Sequence, residues 1–392
     1  MKRSLQATGI DTRLTHGGRD PAQQHGFVNP PVYRGSTVLA PTVDDLLNYR
    51  QPFVYGRIGS PTTAALQEAL RDLDGCAGVL LCPSGLAAIA LSLQATLAPG
   101  DHLLMTDAAY RPARQLGEGL LGRNGISTEW FEPQITPDEL RQRVRPETRA
   151  IYLEAPGSQT MEMCDLPALI AVAHEADLLV IMDNTWATSL YFDAFAQGCD
   201  IVIQSATKYL AGHADVMLGV VSASERILPQ LQQYHRATGT CVSADDAWLT
   251  LRGLRTLAVR MKQHQASALR LAHWLQEQPQ VQAVWYPALE SDPGHALWQR
   301  DFTGAASLFS IVLQPAPASA VAAFVEGLEL FGLGYSWGGF ESLVLPFDST
   351  SYRHCARRLP VGPCIRLFIG LENVDDLQRD LASGLARFSA SQ

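Results

Sequence analysis

Apolar residues in the front of the chain fall into short unbroken runs separated by turn formers and by stretches of helical spacing. Val79-Leu80-Leu81, His102-Leu103-Leu104-Met105, Ala150-Ile151-Tyr152-Leu153, Leu178-Leu179-Val180-Ile181-Met182, Ile201-Val202-Ile203 and Gly219-Val220-Val221 are such runs. A strand with one wet face alternates apolar and polar positions, whereas a continuous run suits a strand covered by helices on both faces. Leu66, Leu70 and Leu73 recur at helical spacing over Thr62 to Asp74, and helices are predicted over Leu86 to Ala98 and Leu166 to Ala176. Helices alternating with buried strands predict an α/β fold with a mostly parallel sheet. Further on, the pattern predicts one long amphipathic helix over Trp248 to Gln278, then strands over Ala306 to Leu313 and Cys364 to Ile369. That change predicts a second, smaller α/β domain with a more antiparallel sheet. Residues 1–60 are rich in turn formers and poor in helical periodicity, and read as an extended arm. The expected division is an arm over 1–60, an α/β domain over 61–255 and a C-terminal α/β domain over 256–392.

At 392 residues the chain exceeds the roughly 250 to 300 at which a single core stops growing. With 47% apolar and 18% charged residues, its composition is that of a globular protein. The balance of 30 basic and 39 acidic residues gives a net charge of -9, which repels phosphate backbones and anionic lipid, so neither nucleic acid nor a membrane is an expected partner. No apolar stretch has the length of a membrane span, and Met1 to Arg13 lack the apolar region of a secretory signal. The seven cysteines, Cys76, Cys82, Cys164, Cys199, Cys241, Cys355 and Cys364, form no Cys-x-x-Cys pair. With no histidine at zinc-ligand spacing either, a cytoplasmic location and no metal site are expected.

Ligands of open α/β sheets bind beyond the carboxyl ends of the strands. Four such ends carry candidate chemistry: Ser84-Gly85-Leu86, Tyr110, Asp183-Asn184-Thr185, and Ser205-Ala206-Thr207-Lys208. Of the 30 basic residues only three are lysines, Lys2, Lys208 and Lys262. Lys2 falls in the terminal segment and Lys262 beside Arg260 on the polar side of a helix. By position Lys208 reads equally as a surface lysine or as a partly desolvated nucleophile able to form a Schiff base. The surrounding residues suit pyridoxal 5'-phosphate. Asp183 is a carboxylate fit to hold the proton on a pyridine nitrogen, although an Asp there is also a common cap. Ser84-Gly85-Leu86 opens a helix and offers N–H groups to a phosphate, as an ordinary N-cap also does. Ser205 and Thr207 add hydroxyls, and Tyr110 is placed to stack on a ring.

The chain also carries Thr15-His16-Gly17-Gly18-Arg19, Val54-Tyr55-Gly56-Arg57, Pro83-Ser84-Gly85-Leu86-Ala87-Ala88-Ile89, Asp183-Asn184-Thr185-Trp186-Ala187-Thr188 and Ser205-Ala206-Thr207-Lys208-Tyr209. Tyr335-Ser336-Trp337-Gly338-Gly339-Phe340-Glu341-Ser342 and Ile365-Arg366-Leu367-Phe368-Ile369-Gly370-Leu371-Glu372 follow. In this order, nearly end to end, the motifs resemble those of the trans-sulfuration (Cys/Met metabolism) group of fold-type I pyridoxal-phosphate enzymes. The resemblance implies a seven-stranded, mostly parallel sheet. It implies Lys208 as the lysine that carries the cofactor and shuttles the Cα proton, with Asp183 at the pyridinium nitrogen and Tyr110 stacked on the ring and assisting proton transfer. Gly85, Leu86, Ser205 and Thr207 would hold the phosphate, joined by Tyr55 and Arg57 from a neighbouring subunit, so that the site needs a dimer, and two such dimers would pair into a tetramer. Arg366, at the end of a C-terminal strand, would clamp a substrate α-carboxylate, helped by Ser336 and the Trp337 backbone; without the motif Arg366 reads as a surface ion pair. The family commonly has Met where this chain has Leu86 and an aromatic residue where it has Val54.

The activity so implied is α,β-elimination of L-cystathionine to homocysteine, pyruvate and ammonia, in methionine biosynthesis. In the family a Trp at the position of Trp337 goes with β-elimination, and smaller residues with γ-lyases and γ-synthases. The alternatives left open are a broad cysteine-S-conjugate β-lyase, a γ-lyase or γ-synthase, and a scaffold that keeps the fold without the chemistry.

Overall fold

Ser60 sets the first long helix: its side chain accepts the Thr63 N–H at 3.3 Å, Pro61 occupies the first turn, and Gly75, at φ +67°, ends the helix in the left-handed conformation. The helix Pro61–Asp74 buries Leu66, Leu70 and Leu73, the positions whose spacing predicts it. The computed structural model describes residues 8–391, so Lys2 lies outside the described residues. Seven strands, β1 (Gly78–Cys82), β2 (His102–Thr106), β3 (Ser127–Phe131), β4 (Thr148–Glu154), β5 (Leu179–Asp183), β6 (Ile201–Ser205) and β7 (Gly219–Ala223), belong to one mixed sheet. Five more, β8 (Val281–Trp285), β9 (Leu308–Leu313), β10 (Gly332–Leu333), β11 (Leu343–Phe347) and β12 (Cys364–Phe368), form a second sheet.

The chain forms two compact units, each built from two stretches: Met1–Thr96 with Asp193–Ala258, and Leu97–Phe192 with Val259–Gln392. In the first, β7 runs antiparallel to both β1 and β6, and the helix Gly85–Thr96 packs on β6 and β7. In the second, β4 lies parallel to β2 and β5, with β3 parallel to β2 at the edge. The second sheet, also in this unit, has the order β10-β11-β12-β9-β8 and is antiparallel apart from β10 with β11.

The predicted strands are all present, and the structure adds others. Ser-Thr-Glu-Trp-Phe of β3 is half wet because it sits at an edge, so it lacks a continuous apolar run. Gln282 interrupts β8, Pro346 interrupts β11, and β10 has two residues, too few to show a period. The single long helix expected over Trp248 to Gln278 is two helices, Ala244–Leu254 and Leu257–Gln276. Ser243 starts the first by accepting the Asp245 N–H at 3.1 Å. The break falls at Arg255 and Thr256, where the Arg255 guanidinium donates to the carbonyls of Leu14 at 2.7 Å and Gly17 at 2.8 Å. Apolar periodicity continues on both sides of this break, so the pattern alone does not reveal it. Among the described residues no helix is long and apolar enough to cross a membrane.

Candidate active site

In the first unit, β6 ends at Ser205 and the chain turns at once. Lys208 N–H donates to the Ser205 carbonyl at 3.0 Å and Gly212 N–H to the Lys208 carbonyl at 2.8 Å. This turn presents Lys208 half-buried beyond the carboxyl end of the strand; Lys262 is exposed. Thr207 Oγ1 accepts the Leu218 N–H at 3.0 Å, which ties the turn to the entry of β7. After β1, Ser84 Oγ accepts the Ala87 N–H at 3.1 Å. Gly85 and Leu86 then contribute the first N–H groups of the helix Gly85–Thr96, donors with no partner inside the helix itself.

Two glycines keep this corner open. A Cβ on Gly85 would lie 2.6 Å from Ser205 Oγ and 2.7 Å from Ser205 Cβ, and one on Gly219 would overlap the Ser84 carbonyl oxygen. The result is a cradle of backbone N–H groups and hydroxyls at a helix N-terminus, the donor set a phosphate ester needs. Gly85→Ala is therefore expected to overpack the cradle and weaken pyridoxal-phosphate binding by about tenfold or more. Titration of apoprotein with the cofactor checks this, and an unaltered Kd contradicts it. Tyr55 and Arg57 also belong to this unit. Arg57 donates to the Arg236 carbonyl at 3.2 Å and lies 5.9 Å from the Tyr55 ring, while Tyr55 bridges to Thr37.

In the second unit, β5 ends at Asp183, in register with Glu154, the last residue of β4. Adjacent residues in register on parallel strands share a face, as do residues two apart, which groups Tyr152, Glu154 and Asp183. Asp183 is buried and accepts from the Thr185 N–H at 3.0 Å and the Tyr152 hydroxyl at 3.3 Å. Burial, and after it the Asp183 charge, pushes the Glu154 carboxyl well above its ordinary range, with the Tyr110 N–H opposing. The same two causes raise the Tyr152 phenol. Glu154 Oε2 accepts the Tyr110 N–H at 2.7 Å, fixing the start of the helix Arg111–Leu116. Tyr110 is half-exposed, and its phenol is raised by burial first and then by Glu154 and Asp183, with Arg366 opposing.

Arg366 lies at the centre of β12, not at its end, between Leu345 of β11 and Ser310 of β9. Burial pushes its guanidinium down to about 10, opposed by Tyr110 and Tyr335, so it remains a cation at neutral pH. It donates to the Ser336 carbonyl at 2.9 Å. Ser336 holds φ +80°, a left-handed conformation costly for a residue with a Cβ. The stretch that follows is pinned from β12's far end. Glu372 accepts the Ser342 N–H at 2.7 Å and the Ser342 hydroxyl at 2.8 Å, and Ser342 Oγ accepts the Gly370 N–H at 2.9 Å. The two C-terminal motifs are thus one interlocked piece, with Trp337 half-buried between its anchors.

The structure gathers Ser84, Gly85, Ser205, Thr207 and Lys208 in one unit, and Asp183, Tyr110, Arg366 and Ser336 in the other. Sequence reasoning missed Glu154 and Tyr152. Glu154 directly follows the run Ala150 to Leu153, so inspecting the end of that strand finds it. Tyr152 hides inside the run and is legible only from register. The residues fit pyridoxal phosphate: a cradle that a Cβ would fill, a lysine on the adjoining turn, and a buried carboxylate with two donors.

Residues 11–386 match the family of Cys/Met metabolism PLP-dependent enzymes, to which the chain belongs. It is 41% identical over 389 residues to a cystathionine beta-lyase of Salmonella typhimurium, covering 96% of this chain and 98% of that one. It is also 41% identical over 392 residues to the cystathionine beta-lyase MetC of Escherichia coli, with 96% and 98% covered. Among solved structures, a cystathionine gamma synthase from Xanthomonas oryzae pv. oryzae in complex with aminoacrylate and cysteine superposes with a TM-score of 0.91 at 31% identity, over 98% of this chain and 100% of that one.

Proposed function

We propose that the protein cleaves L-cystathionine by α,β-elimination to homocysteine, pyruvate and ammonia, in methionine biosynthesis. The observation that carries this is the second-unit constellation, where a buried carboxylate with two donors stands with a buried, carbonyl-tethered arginine. The near full-length similarity to two proteins named cystathionine beta-lyases supports the substrate. Bound pyridoxal phosphate supplies the electron sink that makes the Cα proton removable.

The rest is work for this chain's side chains. Gly85, Leu86, Ser84, Ser205 and Thr207 hold the phosphate, with Tyr55 and Arg57 of a neighbouring copy. Asp183, oriented by Tyr152 and Thr185, keeps the proton on the pyridine nitrogen. Arg366 holds the substrate α-carboxylate with the donors left free by Ser336, since a guanidinium has five and its planar fork matches a carboxylate. Ser336 and the Trp337 backbone help position that carboxylate. The Lys208 amine would anchor the cofactor and take the proton from Cα, and Tyr110 would face the ring and assist proton transfer. The Cβ–S bond breaks with its electron pair leaving on sulfur, and water completes the release of pyruvate and ammonia.

The arm over 1–60, the domains over 61–255 and 256–392, and a homo-oligomer, a dimer or a tetramer built from two dimers, belong to the same reading. Exposed Tyr33, Leu39, Val43, Leu46, Leu47 and Tyr49 support an arm that lies on a second copy. Free cysteines at all seven positions support a reducing, cytoplasmic setting. Product analysis tests the reaction. Reconstituted enzyme with L-cystathionine should release pyruvate and homocysteine in equal amounts. Release of 2-oxobutyrate and cysteine instead makes it a γ-lyase, and a protein that takes up no pyridoxal phosphate is a scaffold.

A further inference from the structure

Arg111 follows Tyr110 directly and is exposed at the start of the helix Arg111–Leu116. Among the described residues it makes no ion pair. Its guanidinium instead lies over the Tyr352 ring, 5.1 Å from the centroid. Its neighbour on that ring behaves differently: Arg114, 5.8 Å from the same centroid, is buried, paired with Asp107, and donates to the Tyr352 carbonyl at 2.5 Å. One cation is therefore neutralised inside the unit, and the other is held out in a fixed direction with its donors unspent. A cation–π contact orients a guanidinium without consuming its hydrogen-bond fork.

The contact chain beneath Tyr352 leads back to the carboxylate clamp. The Tyr352 hydroxyl donates to Gln159 Oε1, and the Gln159 carbonyl accepts from the Ser310 hydroxyl at 2.6 Å. Ser310 is the β9 partner of Arg366. Arg366 and Arg111 are thus linked by one chain of contacts, the first buried and the second exposed.

We propose that Arg111 is a specificity-determining residue that binds a carboxylate at the distal end of the S-substituent. The preferred substrates are then cysteine thioethers whose leaving thiol carries an anionic group. This rests on the elimination reaction and the Arg366 clamp proposed above, and it adds which thioethers are chosen.

The test compares L-cystathionine with S-ethyl-L-cysteine, which has the same Cβ–S bond and no distal charge. Arg111→Met keeps the stem over Tyr352 and removes the charge. It should raise KM for L-cystathionine about tenfold and leave KM for S-ethyl-L-cysteine within about twofold of wild type. Arg111→Glu should raise the first further, and Arg111→Lys should recover part of the loss. Equal shifts for both substrates, or no shift for either, overturn the proposal. A second arm needs no turnover: calorimetric titration of Lys208→Ala protein, with and without Arg111→Met, should show L-cystathionine binding about tenfold weaker in the double variant, and equal affinities overturn the proposal. If wild type releases no pyruvate from either thioether, the elimination reading fails while this binding arm still decides Arg111.

Discussion

Lys208→Ala is expected to give a folded protein whose turnover of L-cystathionine is at least about 10³-fold lower, because in the proposed mechanism one amine serves as both cofactor anchor and base. The backbone bonds of its turn run through Ser205 and Gly212 and do not use the amine, so Tm should move by no more than about 2 °C. Pyruvate release and thermal unfolding measure the two halves of this statement. Normal turnover removes Lys208 from the mechanism. Borohydride reduction of the reconstituted wild type, followed by peptide mapping, should independently place the label on Lys208.

Arg353→Ala is expected to have the largest effect on stability. Arg353 donates to Asp107 Oδ2 at 2.7 Å, to Glu162 Oε2 at 2.7 Å and to Thr160 Oγ1 at 3.1 Å. Asp107 and Glu162 are both fully buried. Removing the guanidinium leaves two buried carboxylates short of their partner, a loss of about 3–5 kcal/mol, or about 5 °C in Tm for a chain of this length. Arg353→Lys keeps the charge without the fork and should fall between.

The effect depends on pH with a definite sign. Burial pushes the Asp107 carboxyl up, but the Arg353 bond, the His354 N–H and Arg114 together outweigh it and hold the group at about 2. A folded value below the unfolded one, about 3.9, gives stability that is present above that pH and lost as pH falls through the folded value. The gap between wild type and Arg353→Ala should therefore narrow on acidification from about pH 4 to about pH 2. Urea unfolding across that window measures it, and a gap that widens refutes the account.

Much of the site was legible because the rule that finds it is local. An apolar run marks a buried strand, and the residues just past its end face the ligand. That reasoning reaches Ser84 to Leu86, Asp183, and Ser205 to Lys208 without knowledge of which strands are neighbours. It fails where a signal is weak or internal: β3 is an edge strand with a wet face, Tyr152 is masked by the run that contains it, and the break at Arg255 needs carbonyls from residues 14 and 17.

The sequence by itself determined the alternation of helix and buried strand, the scarcity of lysine, and the residues offered at strand ends, because periodicity and offset along the chain are properties of neighbouring residues. Only the tertiary structure decided that Glu154 stands beside Asp183 and shares its field. It alone set the Ser336 carbonyl against Arg366, and joined Arg353 to acids some 190 and 250 positions earlier. Those pairings depend on strand register and on loops meeting across the fold, and a one-residue slip in register, which leaves local periodicity unchanged, would move each side chain to the opposite face.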